Sequence, residues 1–159
     1  MSDTPRPFHA MRRKEREITD PAVIEAMLRE ATICHLGLVD DGAPYVVPVT
    51  IGYDGKALYF HSAIAGRKVD IIRRDGRVSF NITSGVAVVD QQTTCTVKYR
   101  SLTGSGVATI LSTPEEKLEA LQVLSRQATG HGATFPARAL ERTLVVRIDI
   151  LEMKGKQAG

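Results

Sequence analysis

The stretch with the most chemical potential reads His61-Ser62-Ala63-Ile64-Ala65-Gly66-Arg67-Lys68. It follows Leu58-Tyr59-Phe60, good strand material, and runs through Gly66 into a segment of helical spacing. Arg67 and Lys68 therefore stand at a helix start, where unpaired N–H groups already favour anions. Cations there are either solvated surface charges or part of a seat for something negative. A phosphate monoester suits the second reading, with Arg67 gripping it bidentately, Lys68 as a point charge and Ser62 as a neutral donor.

His61 alternates with Tyr59 and falls on the face opposite Leu58 and Phe60. A histidine at a strand end is commonly a hydrogen-bonded structural residue. This one immediately precedes the phosphate seat, so it would lie beside whatever the phosphate carries, and imidazole is the usual proton carrier near neutral pH. The other histidines say less: His35 is inside a strand, His9 is in the N-terminal segment, and His131 lies between two glycines. No pair has the spacing of a metal motif. Nucleophile elbow, P-loop and dinucleotide glycine fingerprint are all absent from the sequence.

Elements must hold these residues in place. Asp20-Pro21 caps a first helix carrying Ile24, Met27, Leu28 and Ala31, which ends near Thr32. Strands are expected at 33–39, 44–53 and 56–62, joined by the tight turns Asp40-Asp41-Gly42 and Asp54-Gly55 and hence antiparallel. Pro48, which cannot donate to a ladder, marks an edge, a bulge, or a place where a ligand faces the backbone. A short helix from about Gly66 to Arg74 buries Val69, Ile71 and Ile72, and a strand follows at 77–82. Residues 83–92 read as a looser connection or a further short strand. A long β-region runs from Thr94 to Leu111, where Gly104 and Gly106 suggest a bulge or bend. Thr113-Pro114-Glu115-Glu116 opens a third helix with Leu118, Leu121, Leu124 and Ala128, ending before a flexible loop at Gly130-His131-Gly132. A last strand spans 144–153. The pattern is α+β, mainly β: six or seven antiparallel strands in a barrel, with three helices.

At 159 residues and 43% apolar content, one domain is expected, with a basic arm at 1–17 and the domain proper at 18–156. An aromatic fraction of 5% with no Trp argues against ligand binding chiefly by stacking. The net charge of +3, much of it in Arg12-Arg13-Lys14-Glu15-Arg16, is too weak a footprint for a nucleic-acid partner. Cys34 and Cys95 lie in apolar runs without metal or disulfide spacing and read as buried free thiols in a reducing cytoplasm. Neither an N-terminal leader nor an apolar run of membrane-spanning length is present, so a soluble cytoplasmic protein is expected.

The order of motifs resembles the FMN-binding split β-barrel superfamily of pyridoxamine 5′-phosphate oxidase-like proteins. MRRKERE is followed by HLGLVDDGAPYVVPVTIGY, LYFHSAIAGRKVDIIRRDGRVSF, KYRSLTGSGVATIL and VVRIDILEMKGK. Within that superfamily it is similar to the branch of 5-nitroimidazole resistance proteins, over roughly residues 11–156. The resemblance implies a homodimer with two FMN sites at the subunit interface. His61, Ser62, Gly66, Arg67 and Lys68 would grip the ribityl phosphate. Val47, Pro48, Val49 and Thr50 would run along the isoalloxazine ring, while Tyr99, Arg100 and Ser101 would line the same interface from one subunit or the other. His61 matches a histidine associated with activity in the nitroimidazole branch. The implied activity is a flavin-dependent, nitroreductase-like oxidoreductase that passes electrons to a small-molecule acceptor, without a metal. The C-terminal strand shows only Arg147 before Lys154 and Lys156, few cations for a second phosphate, so oxidation of pyridoxamine phosphate is the weaker expectation. The alternative is a non-catalytic flavin-binding or redox-sensing protein, since no nicotinamide pocket is legible.

Overall fold

The computed structural model describes residues 10–91 and 94–159, with side chains outside 91–95. The expectations for residues 1–9, His9 included, and for the Cys95 thiol lie outside the described residues. The strands are β1 (Glu17–Ile18), β2 (Ile33–Asp40), β3 (Ala43–Thr50), β4 (Gly52–Tyr53), β5 (Ala57–Ala63), β6 (Arg77–Gln91), β7 (Thr94–Ile110) and β8 (Thr143–Ala158). The α-helices are α1 (Pro21–Glu30), α2 (Arg67–Arg74), α3 (Pro114–Thr129) and α4 (Ala137–Arg142). All pairings are antiparallel, in the order β3-β2-β6-β7-β8-β5-β4, with β1 beside β8. This is a split barrel: among the described residues β3 pairs only with β2, and it lies near β5 without pairing to it.

The expected caps are present. Asp20 accepts from the Ala22 N–H at 2.8 Å, and Thr113 with Glu116 forms a complete capping box. Pro48 sits in the edge strand β3, where a missing donor is tolerated. The β7–β8 register shifts between Ser105 and Gly106, an irregularity that fits the bulge the glycines suggested.

Four readings change. Residues 83–91 are neither loose nor a separate strand, because β6 continues to Gln91 with an irregularity between Ser84 and Ala87. Beyond Ser84 and Tyr99, among the described residues, β6 and β7 pair only with each other, an overhanging ribbon with Val86, Val88 and Val97 exposed. A fourth helix, α4, occupies the expected loop, and β8 starts beside it and continues past Met153. Leu118 points to solvent, and Ala120 takes its place in the buried stripe of α3. The basic arm is partly built into the domain, since β1 pairs with Lys156 and Gly155.

Period-2 alternation on β5 feeds two cores. Leu58 and Phe60, both 0% exposed, point into the barrel with Leu36, Phe80, Ile82 and Ile148. Ala57 and Tyr59 point outward and are covered by Leu121 and Leu124 of α3. No helix among the described residues is long and apolar enough to cross a membrane.

The Tyr59 hydroxyl donates to Asp54 Oδ2 at 2.9 Å, and Asp54 Oδ1 caps the turn by accepting the Lys56 and Ala57 N–H groups. Burial and then the Asp54 carboxylate push the Tyr59 phenol up to about 12. The fold thus favours the neutral phenol. Its stabilisation is complete below an ordinary tyrosine pKa of about 10 and is lost as the pH rises towards 12. Tyr59→Phe should cost about 1–2 kcal/mol at pH 7, the worth of one hydrogen bond to a carboxylate discounted for partial exposure. In thermal melts the deficit relative to wild type should shrink above pH 10.

Candidate functional site

The alternation that builds the two cores also separates His61 from Ser62. Ser62 continues the inward stripe of Leu58 and Phe60 and is 9% exposed, and its Oγ is buried with no hydrogen-bond partner. A sealed hydroxyl without a partner is costly and calls for an explanation. Four residues on, Gly66 begins α2 at φ 135°, ψ 162°, a conformation a side chain would strain. No side chain caps α2, and the N–H groups of Arg67 and Lys68 have no carbonyl one turn back to bond. Lys68 is half-buried.

Arg67 does not turn towards Ser62. Its Nε donates to Asp40 Oδ2 at 2.8 Å, and the guanidinium lies 4.5 Å from the centre of the Tyr45 ring. Arg74 also holds Asp40 and reaches Asp41 at 3.4 Å. Arg67 and then Arg74 hold the Asp40 carboxyl below its ordinary range. The β2–β3 turn is thus clamped onto α2, over a cleft of about 610 Å³ walled by Asp40, Arg67, Asp70, Arg73 and Arg74. Asp40 and Asp41 looked in the sequence like turn residues and nothing more.

On β3, Tyr45, Val47 and Val49 pack against the barrel core, while Val46, Pro48 and Thr50 face outward. Past Tyr59, β5 pairs only with β8, so its edge towards β3 is open over Phe60–Ala63. His61, on the outer face of β5, meets Thr50 at an open pocket of about 320 Å³ beneath α3 and α4. The structure therefore joins His61 with Thr50 and places Ser62 on the opposite face. Tyr99, Arg100 and Ser101 lie elsewhere: Ser101 pairs with Lys156 and Ala63 with Thr143, near opposite ends of β8.

Fold and site together define a split antiparallel barrel with open strand edges beside an uncapped, cation-bearing helix start. The chain belongs to the pyridoxamine 5′-phosphate oxidase family, whose sequence profile matches residues 20–157. No curated protein matches the sequence. Among solved structures it is similar to a Bacteroides thetaiotaomicron protein provisionally assigned to 5-nitroimidazole antibiotic resistance. That match has 29% identity and a TM-score of 0.82, covering 90% of this chain and 87% of the other. An FAD- and haem-binding protein from Mycobacterium smegmatis shares the fold at 20% identity and a TM-score of 0.78, covering 90% and 73%. An FAD-binding protein from Mesorhizobium loti does so at 24% identity and a TM-score of 0.68, covering 91% and 98%.

Proposed function

We propose that the chain is a flavin-dependent oxidoreductase that holds FMN and passes electrons to a small nitroaromatic acceptor. The observation that carries the cofactor reading is the partnerless Ser62 hydroxyl four residues before the uncapped start of α2. A phosphate there would accept from Ser62, from the first N–H groups of α2 and from Lys68. Arg67 would exchange the Asp40 carboxylate for the phosphate dianion. FMN supplies the redox chemistry, and the protein supplies seat, orientation and proton. The free edge of β3 at Val47–Thr50 offers backbone groups to the polar edge of the ring, and Pro48 removes a competing donor there. His61, on the outer face beside Thr50, is the proton donor to the acceptor.

A homodimer would complete the site. Tyr99, Arg100 and Ser101, distant from α2 within one chain, would reach it from the partner copy. The buried, free Cys34 thiol suits a reducing cytoplasm. The similarity to FAD-binding proteins favours a second reading of the cofactor, in which FAD lays its second phosphate along Arg73 and Arg74 over the charged cleft.

Extraction of the cofactor followed by mass measurement separates FMN, FAD and neither. Arg67→Ala should weaken flavin binding by about ten- to a hundredfold, the worth of a charge-assisted hydrogen bond. Unchanged affinity would move the phosphate elsewhere. Anaerobic mixing with NADH or NADPH tests turnover: fast bleaching of the flavin supports a reductase, and its absence favours a binding or sensing protein.

A further inference from the structure

We infer that the pocket between β5, α3 and α4 seats a compact, uncharged molecule with an apolar body, and that this pocket selects the acceptor. Leu121, Leu124 and Ala128 of α3 form one wall, and Phe135 and Ala139 form another. The polar lining groups are Thr50, His61, Ser125 and Thr143. Two of these are already engaged. Ser125 Oγ donates to the His131 carbonyl at 3.0 Å, and Thr143 Oγ1 donates to the Ala139 carbonyl at 2.8 Å. That leaves Thr50 and His61 as the lining groups whose hydrogen-bonding capacity is wholly open to a ligand.

Among the described residues, no Arg, Lys, Asp or Glu lines the pocket. A phosphate ester or carboxylate entering it would lose water and, apart from the His61 ring when it carries a second proton, gain no counter-charge, which is unfavourable. A neutral ring would gain apolar contact and one or two hydrogen bonds, the usual composition of a small-molecule site. A volume of about 320 Å³ suits a single-ring molecule. The wall is also fixed. The Gln122 side chain bonds both the N–H and the carbonyl of Ala133, and Thr129 Oγ1 holds the His131 carbonyl at 3.0 Å. The Gly130-His131-Gly132 segment is therefore tied onto α3 and is not the flexible loop expected from its glycines.

The assignment of this occupant as electron acceptor rests on the flavin reading; the binding itself does not. Its test is an NMR titration of the full chain, with and without flavin, using nitrobenzene and 4-nitrobenzoate as a neutral and an anionic probe. Nitrobenzene should saturably shift the His61 ring and the methyl groups of Leu121, Ala128 and Ala139, with flavin present. The carboxylate should bind at least tenfold more weakly. Ala139→Leu and Ala128→Leu, two independent fillings of the pocket, should each weaken nitrobenzene at least tenfold while flavin titration and circular dichroism stay unchanged. Equal binding of the two probes, shifts scattered outside the pocket, or insensitivity to both variants would overturn the proposal. So would exclusion of nitrobenzene by bound flavin, since the pocket would then be the ring's own seat. Nitrobenzene binding to a chain that takes no flavin would sink the redox reading and keep the pocket; flavin uptake without nitrobenzene binding would do the reverse.

Discussion

Replacing His61 by Ala should leave flavin content unchanged and lower nitroaromatic turnover by about a hundredfold or more, the usual contribution of a positioned proton donor. Position argues for this separation. His61 is exposed at the end of the outward stripe Ala57-Tyr59-His61, just where the cover of α3 gives way to the pocket. It belongs to neither apolar core, and its ring makes no hydrogen bond among the described residues. Truncation thus removes little that holds the fold together, and melting temperature should barely move. Steady-state rates over a range of pH, with flavin absorbance recorded on the same samples, check it. A donor lost should also flatten the pH dependence of turnover. Full turnover with intact pH dependence would make His61 a bystander to the chemistry.

Gly104→Ala should act on the other half of the problem. A Cβ at Gly104 would fall 2.3 Å from Phe80 Cζ and 2.7 Å from the Glu152 carbonyl oxygen. Phe80 is 1% exposed and closed in by the barrel core, and Glu152 is fixed in the β7–β8 ladder, so neither neighbour yields without repacking. Overpacking of this kind costs about 2–3 kcal/mol, which for a domain of this length is a fall of roughly 5–10 °C in melting temperature. Calorimetry checks the prediction, and an unchanged melt would mean that β7 and β8 separate more easily than their register suggests.

The sequence was most legible where physics acts locally. The caps of α1 and α3, the tight turns and the alternation of β5 depend on neighbours a few residues away, and each is found in the structure. The register shift at Gly106 was readable for the same reason. What remained hidden depends on distant partners. Arg67 and Arg74 find Asp40 across 27 and 34 residues, so spacing alone showed Arg67 as a cation at a helix start and not as part of a clamp. Gln127 binds the Leu28 and Ala31 carbonyls and the Tyr53 N–H, pinning α3 to α1 and β4 across still longer separations. The helix α4 was missed because six residues give too short a period to read. The pocket beside His61 was missed because its walls come from β3, β5, α3 and α4 together.

The overhanging ribbon of β6 and β7 carries one more implication. Two strands with wetted valines and, among the described residues, no third strand paired to them past Tyr99 are poorly self-supporting. Substitutions at Val86, Val88 and Val97 are therefore not answerable to this chain's own interior. Sequence drift at those positions is free of the barrel's packing, whereas drift at Leu58 and Phe60 is held by the barrel itself.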